Sequence, residues 1–424
     1  MTINKREFLR LSGATATVAA LGTVTATEGA PTDAAVELKP ITGDALPISV
    51  EERLARVAKA QKLMTKHNID AILIEPGSAM LYFSGISWWR SERLTAVIIP
   101  REGEIAVVTP YFEEPSVRES MTFGTDVRTW HEHEDPFARV VEVLRDRGVR
   151  RGRVGFESTV RYFAAEGMRR AAPEIEVVTA LPVTQGCRMY KSSAEIALMK
   201  KANEVTLRAY EHVYRSLDKG MRPADVKALM REAQASLGGS GIWNMALFGP
   251  ASAYPHGTSI EQEIEDGQIV LMDCGCSVHG YQSDISRTFV YGEPSKRQRK
   301  VWNTVRKGQQ IAFEAAQPGS PAGKVDDAVR SYYESLGYGP DYATPGLSHR
   351  TGHGIGMDGH ESVNFVRGET APLRQGMCFS NEPGIYIFGE FGVRLEDCMY
   401  MTDDGPAWFT VPPDSLDAPI GRLG

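Results

Sequence analysis

Apolar positions across 49–67 recur at helical spacing. Ser49 precedes the first turn and Glu52 follows three positions on, the pairing that closes free amides at a helix start. Short apolar runs follow at 70–75, 94–100, 104–110, 153–156 and 175–178, and proline or glycine punctuates most of them, so each reads as a strand. Segments 135–148 and 159–171 return to helical periodicity, and the alternation predicts a small α/β domain over 49–190. Around Arg188–Ile196 the pattern changes. A long helix is predicted over 193–217 with Ser193 as its cap, then a helix at 223–237, a strand at 242–247, a hairpin at 268–292, helices at 295–316 and 322–335, and a second hairpin at 377–402. Residues 191–424 therefore read as an α+β domain.

Each hairpin carries a pair of acids on apolar, glycine-containing strands. A two-residue loop at Val278-His279 places Asp273 opposite Asp284, and a three-residue loop at Phe388-Gly389-Glu390 places Glu382 opposite Glu396. Directly opposed like charges destabilise a ladder, so four carboxylates arranged in this way call for cations between them. That many hard oxygen ligands suit divalent metal, with charge enough for two ions. A solvated acidic surface is the plain alternative, and the apolar strand text around each acid argues against it.

Four of the nine histidines fall in glycine- or proline-marked segments of the second half: His256, His349, His353 and His360. Gly352 and Gly354 flank His353, which would let something bound there approach the backbone closely. One imidazole added to four carboxylates makes a mixed nitrogen and oxygen donor set. The other three are candidates for proton transfer and for polarising a carbonyl, because histidine titrates near neutral pH. His67, His131, His133, His212 and His279 read as structural, with His279 as a turn residue.

Composition narrows the picture. A chain of 424 residues with 42% hydrophobic and 24% charged residues is ordinary for a soluble protein of two or three domains. A net charge of −7 gives no footprint for nucleic acid and no reason to expect an anionic membrane surface. Five cysteines leave at least one unpaired within the chain, and Cys274 and Cys276, two apart on one strand, read as small core residues. Residues 1–30 join a basic start, Lys5-Arg6-Glu7-Phe8-Leu9-Arg10, to a short, weakly apolar run, which predicts an export signal; 31–48 reads as a linker. Lys-Arg-x-Phe-Leu resembles the twin-arginine signal with Lys5 for the first arginine, and Val24-Thr25-Ala26 suits cleavage. The expected location is periplasmic or otherwise extracytoplasmic, and cytoplasmic if the signal is not used.

Asp273, Asp284, His353, Glu382 and Glu396 resemble, in order and spacing, the five-ligand dinuclear motif of the metallopeptidases with the pita-bread fold, among them methionine aminopeptidase, aminopeptidase P and prolidase. The surrounding text matches too: Asp273-Cys274-Gly275, Ser283-Asp284-Ile285-Ser286-Arg287-Thr288, Gly352-His353-Gly354-Ile355-Gly356, Glu382-Pro383-Gly384-Ile385-Tyr386 and Val393-Arg394-Leu395-Glu396-Asp397. Residues 49–190 resemble, more weakly, the extra N-terminal domain of the aminopeptidase P, prolidase and creatinase branch.

The resemblance implies a pita-bread catalytic domain over 191–424 behind a creatinase-type domain, and hydrolysis of the bond between an N-terminal residue and proline. Asp284 and Glu396 would bridge two divalent ions, manganese first with cobalt and zinc as further occupants. Asp273 would complete one site, and His353 with Glu382 the other. A hydroxide bridging the ions would attack the scissile carbonyl with Glu382 as general base. His360 would steady the carbonyl oxygen, and His256 would bind substrate or pass a proton to the leaving nitrogen. His349 and Arg394 would line the proline-side pocket and support the ligands. Partners implied are a small peptide with proline second and a second copy of the chain.

Two other readings stay open: a non-peptidase C–N hydrolase or lyase of a small metabolite on the same scaffold, and a binding protein without catalysis. Ser286, Cys274, Cys276 and Gly359 depart mildly from the family's usual residues, in ways that concern packing and pocket shape. The resemblance also implies that one subunit's N-terminal domain can reach the other's active site, where the two tryptophans of Gly85–Arg93 would wall the pocket and Arg90 or Arg93 would hold a substrate carboxylate; a domain-packing loop is the plain alternative.

Overall fold

Ser49 caps the first helix as its spacing predicts. Its hydroxyl accepts the Glu52 amide at 3.2 Å, and the helix runs Val50–His67. The computed structural model describes residues 38–424. The export-signal reading falls outside the described residues. The described part of the expected linker is not free: the Ile41 amide donates to the Leu237 carbonyl at 3.0 Å, and Leu38 and Ile41 pack on the core of the second half.

Six strands form one mixed sheet, in the order Asp126–Trp130, Ala106–Pro110, Ala96–Pro100, Ala71–Ile74, Gly152–Phe156 and Ile175–Thr179. Successive side chains on a strand face opposite sides. Ile72, Ile74, Val97, Ile99 and Val107 join one core with helices Val50–His67, Ser78–Ser84 and Leu181–Arg188. Leu73, Ile98 and Val108 join another, under helices Pro136–Asp146 and Tyr162–Ala171. Burial on both faces is why these strands read as continuous apolar runs. The edge strand Asp126–Trp130 escaped the pattern because it is mostly half-buried and pairs Asp126 with Arg128 at 2.5 Å.

In the second half the long helix runs Ser193–Arg215, and its cap is Ser192, one residue before the expected Ser193. The reason is the position of Glu195: its amide reaches the Ser192 hydroxyl at 3.3 Å, and its carboxylate accepts the Ser192 amide at 2.9 Å. That helix packs on a sheet ordered Ile285–Tyr291, Gln268–Val278, Ser240–Phe248. A second sheet runs Glu361–Phe365, Gly352–Gly354, Cys378–Asn381, Asp397–Met401, Pro406–Trp408. Helices Lys296–Ala315 and Gly323–Ser335 complete the core, with Trp302 and Phe379 deep inside.

The first hairpin departs from its expected register. Its turn is His279-Gly280, and both residues have positive φ, 47° and 85°, as the tight two-residue hairpin turn requires. Moving the turn one residue along sets Val278 against Tyr281 and Asp273 against Ser286, so Asp273 does not face Asp284. Asp284 lies where the ladder breaks, between Tyr281–Gln282 and Ile285–Tyr291. The second hairpin keeps its expected register: Asn381 pairs with Asp397 on one side and Gly384 with Arg394 on the other, around the expected loop at 388–390.

The two halves share one core, in which Val278, Tyr281, Ile355 and Met357 pack with N-terminal residues. Arg56 donates to the Tyr281 hydroxyl at 3.0 Å, which donates to Glu195 at 2.9 Å, in buried surroundings. All five cysteines are buried and free, and Cys274 and Cys276 are core residues. Among the described residues no helix is long and apolar enough to cross a membrane.

Candidate active site

Both ladders break beside their acids, the first at Asp284 and the second at Glu382 and Glu396, and both deliver them to the same place. A cavity of ≈ 530 Å³ is lined by Asp273, Asp284, His353, Glu382 and Glu396, and also by His256, His349, His360 and Arg394. The structure thus gathers every site residue expected from sequence, although Asp273 does not face Asp284 and Glu382 and Glu396 sit in a gap between two ladders of the expected register. Trp243, Tyr342 and Arg350 also line it and carried no sequence signal beyond neighbouring text. Arg90 and Arg93 do not line the cavity of their own chain. Arg90 donates to the Pro76 carbonyl at 2.9 Å and to Thr159 at 3.1 Å, and Arg93 pairs with Glu132 at 2.7 Å, all within the N-terminal half.

Ser286 does more than shape the pocket. Its hydroxyl lies 3.0 Å from Asp273 Oδ1 and 2.7 Å from Glu396 Oε2, and it accepts Arg394 Nε at 2.9 Å. Arg394, buried, also donates to Asp273 Oδ2 at 2.6 Å, to the Pro255 carbonyl at 3.1 Å and to the Tyr386 hydroxyl at 3.4 Å. Its donors are committed. The strand that follows Glu396 is pinned by the buried pair of Arg287 and Asp397 at 2.7 Å, and Arg287 also donates to the Glu396 carbonyl at 2.8 Å.

The acids are left with more negative charge than the protein balances. Burial raises Asp284 well above the usual carboxylate range, and the charges of Asp273 and Glu382 add to it. Burial does the same to Glu396, helped by Asp284. Glu382 is pushed up to about 7 by burial, with Arg394 opposing and Asp273 adding.

His353 is buried, and burial, with the neighbouring His360, holds it well below its ordinary value. Its Nδ1 lies 3.0 Å from the Gly354 carbonyl, which can only accept, so Nδ1 carries the proton and Nε2 the lone pair. That lone pair faces Glu382 Oε1 at 3.4 Å and Asp284 Oδ2 at 3.7 Å. The flanking glycines serve a different purpose from the expected one. A Cβ on Gly352 would stand 2.2 Å from the Ser380 carbonyl oxygen, and one on Gly354 2.8 Å from that of Glu361, so they admit neighbouring strands rather than a bound group.

His349 is lowered to about 3 by burial and the charge of Arg394. The neutral ring donates from Nδ1 to the Arg350 carbonyl at 2.7 Å and accepts the Tyr386 hydroxyl at Nε2, 2.7 Å. His360 stands edge-on to His353 with ring centres 4.1 Å apart. His256 stands at the rim, shared with an adjoining groove beside Asn244 and Gln262.

This donor set fits divalent cations. Asp284, His353 and Glu396 each offer a ligand atom within 4.8 Å of the others. Asp284 Oδ1 and Glu396 Oε1 are buried without a hydrogen-bond partner, which is costly unless a cation takes them. The imidazole lone pair aimed at two carboxylates has the same requirement, and its outer N–H on a carbonyl is the usual support for a metal-bound histidine.

Comparison with known proteins agrees with this geometry. Residues 197–403 match the model of metallopeptidase family M24, and residues 56–190 that of the creatinase/prolidase N-terminal domain. The probable dipeptidase PepE of Mycobacterium tuberculosis is 33% identical over 82% of this chain and 92% of its own length. An Xaa-Pro dipeptidase of Lactobacillus delbrueckii subsp. lactis is 29% identical over 83% of this chain and 95% of its own. The crystal structure of dipeptidase PepE from Mycobacterium ulcerans superposes with a TM-score of 0.81 at 30% identity, covering 87% of this chain and 98% of that one. A prolidase structure from Thermococcus sibiricus gives 0.78 at 28% identity, covering 84% and 96%.

Proposed function

The chain belongs to metallopeptidase family M24, a metal-dependent peptidase with the pita-bread fold behind a creatinase-type domain, and from that premise we propose that it is an Xaa-Pro dipeptidase. The observation that carries the reading is the pair of unpartnered, buried oxygens on Asp284 and Glu396 beside the lone pair of His353. Asp284 and Glu396 would be shared between two ions, with Asp273 completing one site and His353 and Glu382 the other. An oxygen-dominated set with one imidazole favours manganese. The ions supply a water acidic enough to attack at neutral pH and positive charge for the developing oxyanion.

The chain's own residues do the rest. Glu382, at the cavity wall beside His353, would take the proton of the attacking water and pass it on. Arg394 and Ser286 hold Asp273 and Glu396 in place. His360 offers a ring N–H to the scissile carbonyl oxygen from the cavity wall. His256 at the rim hands a proton to the leaving proline nitrogen. His349 fixes the Tyr386 hydroxyl and lines the proline side.

The proposal extends to a homodimer and to export through the segment 1–30, supported by its basic start and weakly apolar run. The test is hydrolysis of alanyl-proline and of an alanyl-prolyl tripeptide by manganese-loaded chain, with Asp284→Ala as control. The dipeptide is cleaved by the parent chain and not by the variant. No cleavage of either peptide, in protein shown to hold its metal, would sink the reading and favour a small-metabolite C–N hydrolase.

A further inference from the structure

The cavity has one cationic side chain that the protein itself does not use. Arg350 lines it beside the acids, and its guanidinium makes no hydrogen bond or ion pair among the described residues. The other arginine there, Arg394, is spent on Asp273, Ser286 and a carbonyl. The contrast matters because four carboxylates line the same wall, and an incoming carboxylate needs a specific cation to settle among them.

The backbone that carries Arg350 is held rigidly. Arg330, buried and paired with Asp326 at 2.7 Å, donates to the Leu347 carbonyl at 2.9 Å and the His349 carbonyl at 2.6 Å. Asp326 accepts the Thr351 amide at 3.1 Å and its hydroxyl at 2.7 Å on the other side. The Arg350 carbonyl takes the His349 Nδ1 proton at 2.7 Å. A guanidinium with free donors on a pinned backbone is preorganised for a planar anion, because little freedom is lost on binding.

We infer that Arg350 anchors the free carboxylate of the substrate, so that a two-residue peptide ending in proline is favoured over one whose proline carboxylate is blocked. The inference rests on the Xaa-Pro peptidase reading and names the residue that selects chain length within it. It places that selection on the catalytic half of the same chain.

The experiment compares alanyl-proline with alanyl-prolinamide, on manganese-loaded parent chain and on Arg350→Met, Arg350→Gln and Arg350→Lys. A charge-assisted anchor predicts that Arg350→Met and Arg350→Gln raise KM for alanyl-proline by about 10- to 100-fold. Turnover at saturation stays within about threefold, and alanyl-prolinamide kinetics do not move. Arg350→Lys restores part of the lost KM. Equal losses on both peptides, or a parent chain indifferent to amidation, would overturn the inference while leaving the peptidase reading intact. If the loaded parent cleaves neither, the peptidase reading itself falls and takes this one with it. Should Arg350→Met not fold, the isosteric demands on Arg350→Gln are smaller and the same split is read there.

Discussion

Glu361 and Glu382 are carboxylates with little exposure, 8% and 13% of the side chain, in adjoining parts of the molecule, and they are built in opposite ways. Glu361 opens the strand Glu361–Phe365 at the junction of the two halves, where Lys191 lies 2.9 Å and Arg188 2.5 Å away, and the amides of Met357 and Asp358 donate at 3.0 and 3.2 Å. Burial would raise it, but Lys191 and Arg188 outweigh that and bring it down to about 2. Around Glu382 four acids share the committed charge of Arg394, and burial pushes it up to about 7. A structural ion network closes its own account of charge. A functional one leaves charge exposed to whatever binds, and the protein holds it in place with neutral and backbone contacts.

The largest effects follow from removing one acid from each cluster. Glu361→Gln leaves Lys191 and Arg188 short of a partner in buried surroundings, so metal-stripped protein loses about 3–5 kcal/mol in urea unfolding. Asp284→Asn has the opposite sign. Its folded carboxyl is held well above the ordinary value, so the ionised form opposes folding at neutral pH, and the stripped variant unfolds at higher urea than the parent. Its manganese-loaded activity falls further than the ~10–100-fold that follows loss of a residue one step from a metal. Destabilisation of stripped protein by Asp284→Asn, comparable to that of Glu361→Gln, would break the comparison.

Acid and base should separate the same two groups. Glu361 titrates at about 2 in the fold and near ~4.3 unfolded, so its contribution is present above ~4.3 and is lost as pH falls towards 2. Glu382 titrates at about 7, above its unfolded value, so the fold holds the proton more tightly; its contribution is full below ~4.3 and is lost as pH rises through 7. Urea unfolding of stripped protein over about pH 3 to 8 therefore shows a slope on each side. Glu361→Gln flattens the acid limb, and Glu382→Gln reduces the other, which Asp284 and Glu396 share. A Glu382→Gln variant that keeps the full alkaline loss would place that loss elsewhere.

How much of this could be read beforehand differed between regions for physical reasons. The five metal-ligand candidates and His256, His349 and His360 were legible because each sits in short glycine- or proline-marked text whose spacing matches a family. Arg350 was not: its role depends on what Arg330 and Asp326 do to the backbone from a helix more than fifteen residues away. The edge strand Asp126–Trp130 was missed because an edge needs no apolar run. The mispaired Asp273 has a different cause. Its hairpin's turn lies against Leu81 of the other half, whereas the loop at 388–390 meets Tyr254 and Arg297 of its own half, and its local reading held.

The two turns offer the smallest and sharpest test of that difference. Gly280 and Gly389 have the same φ of 85°, which an alanine tolerates at a cost of about 1–2 kcal/mol. At Gly389 a new Cβ meets nothing within 4 Å, so Gly389→Ala should cost that amount alone. At Gly280 it would stand 3.1 Å from Leu81 Cδ2 and 3.2 Å from Met357 Cε, and the adjoining His279 ring lies 3.1 Å from the Ala45 carbonyl. The turn is wedged between Leu81 of the N-terminal half and Met357 of its own, and those side chains must give way, adding about 1 kcal/mol more. Urea midpoints of the two variants, measured with Asp284 and its partners intact, should therefore fall in the order parent, Gly389→Ala, Gly280→Ala. Equal midpoints would mean that the first hairpin's turn is set locally after all, and that its displaced register owes nothing to the packing of the two halves.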